Sequence, residues 1–250
     1  LQANTTASNN VAVGLNALLV NTTGTDNTAV GTFALDANTT GGDNTAIGKN
    51  ALTVNTTGDN NVAVGSLALD ANTTANDNVA VGVLALTSNS TGTANVAIGR
   101  DALEANTTAN HNTAVGYDAL KSNTTGVSNV AVGSSALDAL TTGNQNVAVG
   151  KNALGSLTTG SQSVAVGHGA LAVATAGSNI AIGYHSSVSL TSGDSCVTMG
   201  YEAGEDITTG SHHTLIGFRA GMNITTSNYN TIMGSNAATS QTTASQNTCY

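Results

Sequence analysis

The chain has 250 residues and a net charge of −9, from 14 acidic against 5 basic side chains, with no proline, no tryptophan and 3% aromatics. So few bases cannot neutralise a phosphate backbone, which excludes nucleic acid as a partner. No apolar run approaches the ~20 residues of a bilayer span, so no membrane insertion is expected of this segment.

A glycine recurs every 17 residues at Gly14, Gly31, Gly48, Gly65, Gly82, Gly99, Gly116, Gly133, Gly150 and Gly167; one residue is then dropped and the series resumes at Gly183, Gly200, Gly217 and Gly234. A short period without a helix-length segment predicts an all-β chain, a parallel β-solenoid or β-roll of about fourteen 17-residue coils. Residues 1–250 read as a single repeat array that starts and stops in mid-repeat, hence as part of a longer fibre.

Within each coil the residues fall into columns. Val, Ile, Thr or Met flank a constant alanine just before the glycine, as in Val79-Ala80-Val81-Gly82. The flanking pair shares one face of a strand and the alanine points to the other. A small residue kept in that column predicts a backbone packed close against it. An asparagine precedes the triplet, and Asn44, Asn61, Asn78, Asn95, Asn112 and Asn129 are expected to stack as a hydrogen-bonded ladder. Gly48, Gly65, Gly82, Gly99, Gly116 and Gly133 are expected to supply a positive φ or a close backbone approach at a corner. A leucine four residues after the glycine, such as Leu18, Leu35 and Leu120, is expected to enter the core. An Asn-Thr-Thr-Gly phrase then turns the chain back. Acids recur on alternate coils at Asp36, Asp70, Glu104 and Asp138, a spacing that weakens like-charge repulsion between stacked strands.

Toward the C-terminus the pattern shifts, and a change of packing mode is expected at about residues 140–200. The second asparagine column turns apolar at Leu140, Leu157, Leu190 and Ile207. The alanine column enlarges to Thr198, Leu215 and Ile232 while the leucine column shrinks to Gly204, Gly221 and Ala238. Such a volume exchange predicts that the two columns pack against each other, within one chain or across a chain boundary. Cys196 and Cys249 lie about three coils apart, roughly 14 Å, too far for a bridge, and read as small apolar fillers.

The phrase Asn-x-(Val/Thr)-Ala-(Val/Ile)-Gly-x-x-Ala, as in Asn112-Thr113-Ala114-Val115-Gly116-Tyr117-Asp118-Ala119, resembles the head repeats of YadA-type trimeric autotransporter adhesins. The longer phrase through Gly126 is similar to the repetitive shafts of bacterial surface and phage tail-fibre proteins. The resemblance implies three chains in parallel and an extracellular, cell-surface or virion setting. The residues point the same way. Few large side chains per coil offset the entropy of ordering it, so a partner covering the alanine face, in a homotrimer, is expected.

The expected function is that of a structural shaft giving reach and attachment, without catalysis, cofactor or metal; the histidines His111, His168, His185, His212 and His213 form no ligand-like spacing. The expected partners are the chain itself, as homotrimer or filament, and a carbohydrate or cell-surface receptor. The alternative is an end-to-end filament with a glycan coat; a lesser one is an ice-binding solenoid using the threonine pairs. Asn21, Asn38, Asn55, Asn72, Asn89, Asn106, Asn123 and Asn223 match the N-glycosylation pattern, against the preferred reading of that column as a turn. O-linkage on the threonine pairs belongs to the same glycan reading. The two variable corner positions after the glycine collect aromatics, and Tyr117, Tyr184, Tyr201 and Phe218 form a candidate recognition strip.

Overall fold

The computed structural model describes residues 2–250. Each β-branched triplet forms a strand that the following glycine ends, so the strands are short. The chain divides into two compact units, one ending at Val127 and one running Ser128–Tyr250. In the first, β1 (Val11–Val13), β2 (Thr28–Val30), β3 (Thr45–Ile47), β4 (Val62–Val64), β5 (Val79–Val81), β6 (Val96–Ile98) and β7 (Thr113–Val115) pair in sequence order. In the second, β8 (Val130–Val132), β9 (Val147–Val149), β10 (Val164–Val166), β11 (Ile180–Ile182), β12 (Val197–Met199), β13 (Thr214–Ile216), β14 (Thr231–Met233) and β15 (Thr248–Cys249) do the same.

Both units are parallel β-solenoids, and among the described residues there is no helix. Register follows the repeat, Ala46 opposite Ala63 and Ala63 opposite Ala80. The dropped residue leaves the ladder intact, because Ala165 still pairs with Ala181. Away from the strands the coils remain stacked by backbone bonds, such as Leu35 N–H to the Ala51 carbonyl and Leu52 N–H to that of Ala68, each 3.0 Å.

The structure reverses the expected use of the two strand faces. Ala29, Ala46, Ala63, Ala80, Ala97 and Ala114 are wholly buried inside their own coils, packed toward Leu35, Leu52, Leu69, Leu86, Leu103 and Leu120, also wholly buried. The flanking pair faces outward, leaving Ile47 40% and Ile98 41% exposed. The backbone close to the alanine is therefore the far wall of the same flat coil, which has room for one leucine and small residues only. An alanine face is not available to a second chain.

Each coil turns its corners in left-handed backbone. The recurring glycines have φ of 126–143°, and a Cβ on Gly150 would lie 2.6 Å from the carbonyl carbon of Gly167 in the next coil. Both roles expected of this column, positive φ and close approach, are thus met at once. The leucines four residues after the glycine, from Leu18 to Leu171, hold φ of 49–54°. A non-glycine residue there costs on the order of 1–3 kcal/mol, which burial of a leucine side chain, about 1.5–3 kcal/mol, offsets.

The volume exchange is real and lies within one chain. A Cβ on Gly204 would lie 2.9 Å from Leu215 Cδ1 and 2.6 Å from Ile207 Cδ1, and one on Gly221 3.1 Å from Leu215 Cδ1. Leu215 fills the space that the core leucine occupies in earlier coils, and Gly204 and Gly221, both at φ 59°, relieve the left-handed strain as well. Gly221→Leu should therefore destabilise the fold by roughly 2–4 kcal/mol, and adding Leu215→Ala should recover most of the loss. A double-mutant cycle in thermal melts checks the coupling.

Candidate functional site

Most side-chain polar chemistry in the chain is turned toward the neighbouring coil. In the first asparagine column Asn78 Oδ1 accepts the Asn95 backbone N–H at 3.0 Å, and Asn78 Nδ2 donates to the Gly92 carbonyl at 2.9 Å. Asn44, Asn61 and Asn95 repeat this pattern; Asn112 Nδ2 donates to the Gly126 carbonyl and Asn129 Nδ2 to that of Gly143. The expected ladder exists, but its main bonds run from amide to backbone. Amide-to-amide bonds run in both columns. In the first, Asn61, Asn78 and Asn95 Nδ2 also donate to the Oδ1 one coil back at 3.2–3.3 Å. In the second, Asn38 Nδ2 donates to Asn21 Oδ1 at 2.8 Å, Asn55 to Asn38 and Asn72 to Asn55 at 3.0 Å, and Asn106 to Asn89 at 2.8 Å. Each of these four donors reaches the carbonyl three residues on as well.

Where the first column departs from asparagine in the second unit, the replacement keeps an acceptor. Ser163 Oγ accepts the Asn179 N–H at 3.3 Å. Cys196 keeps a buried sulfur there; burial pushes its thiol pKa up, with the His213 N–H pulling the other way. His213 replaces both amide functions. Its Nδ1 accepts the Asn230 N–H at 3.3 Å, and its Nε2, 2.9 Å from the Ser227 carbonyl, must donate. That fixes the neutral ring, and burial holds its pKa below 6.5 against the opposing pull of the Ser227 carbonyl.

A histidine depressed in the folded state contributes stability that is present above its unfolded pKa of 6.5 and is lost as pH falls through the lower folded value. Thermal melts should therefore show a loss of stability below pH ~6.5 that His213→Asn removes. An unchanged acid profile in the variant would contradict this bonding.

The corner aromatics behave as two different things. Tyr117, in the first unit, is exposed with no stacked ring among the described residues. In the second unit His168, Tyr184, Tyr201 and Phe218 stack in a continuous row, with centroids 5.4, 5.2 and 5.4 Å apart and ring planes within 13°. Tyr184, Tyr201 and Phe218 remain 42–44% exposed. Tyr184 and Tyr201, stacked on both sides, offer a ligand their edges and hydroxyls, whereas Phe218 ends the row with a ring on one side only.

Beside this row Arg219 Nε donates to Glu202 at 2.6 Å, and the guanidinium lies 5.1 Å from the Phe218 centroid. Glu202 sits below the usual carboxylate range: desolvation raises its pKa, but the Tyr201 hydroxyl and Arg219 outweigh it. The Arg219–Glu202 pair is a feature the sequence reading missed, though a base exactly one repeat after an acid was a legible signal.

Other expected positions resolve as follows. Asn21, Asn38, Asn55, Asn72, Asn89, Asn106 and Asn123 are wholly buried, so no glycan can leave their Nδ2 atoms in the fold; Asn223 is half-buried and donates to the Thr239 carbonyl. The threonine pair splits as alternation predicts: Thr22, Thr39 and Thr56 donate to the carbonyls of Thr39, Thr56 and Thr73, while Thr23, Thr40 and Thr57 face solvent. Desolvation, with repulsion from Asp70 two coils away, raises Asp36 above the ordinary carboxylate range. Lys121 bridges Asp118 at 3.1 Å, Glu104 at 3.5 Å and Asp101 at 3.7 Å. His111 and His212 hold equivalent places five residues before a column glycine. No cavity opens among the described residues.

The chain matches no family model and no curated protein.

Proposed function

We propose that the chain is a structural segment of an extracellular or virion fibre, a shaft that provides reach and carries attachment groups, assembled from copies joined through the outer face of the strands. The observation that supports the mechanical part is the use of the buried asparagine side chains to bind coil to coil.

The assembly part rests on the outward strand positions. From β1 to β14 they hold only Val, Ile, Thr and Met, in a chain of net charge −9 whose acids and bases all lie elsewhere. A charge-free apolar stripe left exposed fits a partner surface. Its rungs repeat at the strand spacing of ~4.8 Å, and a surface with that same period along its length is another copy of this ladder. Three copies around a common axis is the arrangement favoured here.

Light scattering on the folded protein tests this. The expected mass is three chains, and Val79→Asp with Val81→Asp should give folded single chains with an unchanged far-UV spectrum. A parent protein that is folded and stable at the mass of one chain would refute the assembly.

A further inference from the structure

The second threonine of each turn joins the coil stack through its backbone, as Thr23 N–H donates to the Thr39 carbonyl at 3.1 Å, but its hydroxyl does not. In the first unit this column is Thr6, Thr23, Thr40, Thr57, Thr74, Thr91, Thr108 and Thr125, every one exposed. Among the described residues none of these hydroxyls makes a hydrogen bond, whereas the threonine or serine just before each of the first seven donates its hydroxyl to the next coil. Coil stacking therefore explains the first hydroxyl and leaves the second unexplained. The place five residues before the glycine, exposed except at half-buried Ala94, varies between coils in this same unit even though its backbone is held at φ 55–62°: it runs Asn9, Asp26, Asp43, Asn60, Asp77, Ala94 and His111. Eight threonines in a comparably exposed column are held for a hydroxyl that meets something outside the chain.

We propose that this column is an array of O-glycosylation acceptors. The same Asn-Thr-Thr phrase reads in sequence as an N-linked acceptor, but its asparagine is buried and its first threonine bonded. The second threonine Oγ1 is the nucleophile that reaches solvent. It attacks the anomeric carbon of a nucleotide- or lipid-diphosphate sugar carried by a transferase. The glycosidic C–O bond forms, the bond from the anomeric carbon to phosphate breaks, and the diphosphate leaves with the electron pair. The hydroxyl proton passes to a base of the transferase. Rungs ~4.8 Å apart limit each site to a short, unbranched sugar. With only 8% charged residues in the chain, sugars would supply hydration that the surface otherwise lacks. The inference does not depend on the assembly proposed above.

Protein from the natural source, digested and fragmented by electron transfer, tests it. Sugar is expected on Thr23, Thr40, Thr57 and their equivalents, and not on Thr22, Thr39, Thr56 or the buried asparagines. Unmodified peptides, or sugar on the bonded threonines, would overturn it. A structural role is tested separately in recombinant protein. Thr40→Ala, Thr57→Ala and Thr74→Ala together should melt with the parent, while Thr39→Ala, Thr56→Ala and Thr73→Ala together should melt lower. Equal losses in both triple variants would show that the exposed column is held for stability and would end the proposal.

Discussion

Gly150→Ala should unfold its coil and Gly155→Ala, five residues further on, should not. Gly150 holds φ 135°, which an L residue rarely adopts, and a Cβ there would lie 2.6 Å from the Gly167 carbonyl carbon and 3.1 Å from the His168 nitrogen. Both neighbours are backbone held by the strand ladder, so no side chain can rotate away. Strained backbone and overpacking each cost on the order of 1–3 kcal/mol, and in a solenoid the loss falls on a nearest-neighbour interface that the rest of the stack needs. At Gly155 the nearest atom to an added Cβ is 3.4 Å away, an ordinary contact, and no positive φ is required. Alanine there lowers the entropy of the unfolded chain and should be neutral or stabilise by up to about 1 kcal/mol. Circular dichroism melts of the two variants beside the parent give the comparison. Equal melting of all three would mean that the coils are not stacked through this column.

The solenoid, its period and its register were legible because one glycine column and one alanine-centred triplet repeat through the sequence. Which strand face points inward was not. Period-two alternation separates Ala80 from Val79 and Val81 but does not say which set is inside, and burial of the larger residues is the usual expectation. The inversion follows from the width of the coil. Left-handed corners such as Phe33 and Leu35, at φ 58° and 52°, bring the far wall so close that only alanine fits opposite the leucine. A leucine in left-handed backbone has no sequence signature, since propensity argues against it. The exchange of Leu215 for Gly221 was legible because both partners changed together. Of the candidate sites, the row Tyr184, Tyr201 and Phe218 could be placed from the period alone, but the burial of Asn55 and Asn72 could not, because the sequence shows an amide and not its partner.

Asn78→Leu should destabilise the first unit by about 2–5 kcal/mol, while Asn78→Ser should lose much less. The leucine removes the acceptor for the buried Asn95 N–H, and an orphaned buried donor costs about 1–3 kcal/mol beyond the bonds lost. The Gly92 carbonyl keeps a donor from Asn89 Nδ2 at 2.9 Å, so the N–H is the group at risk. The chain obeys this constraint: its own replacements in the column are Ser163, Cys196 and His213, and no aliphatic residue occurs there. The second asparagine column shows the opposite behaviour. Its amides bond one another, as Asn72 to Asn55, and also the carbonyl three residues on, as Asn72 to Ala75, but that carbonyl accepts from Asn61 Nδ2 of the first column as well. Donor and acceptor amides can therefore be exchanged together for apolar groups without orphaning a backbone group. In the second unit they are, at Leu140 and Leu157, both wholly buried. A lone Asn72→Leu leaves Asn55 Oδ1 without its amide donor and should cost less than Asn78→Leu, because no backbone N–H loses its acceptor. Replacing Asn38, Asn55, Asn72, Asn89 and Asn106 together by leucine should cost less per site than the single change. Denaturant unfolding of the four variants ranks these losses, and a column-wide variant weaker per site than Asn72→Leu would contradict the ladder's pairwise character.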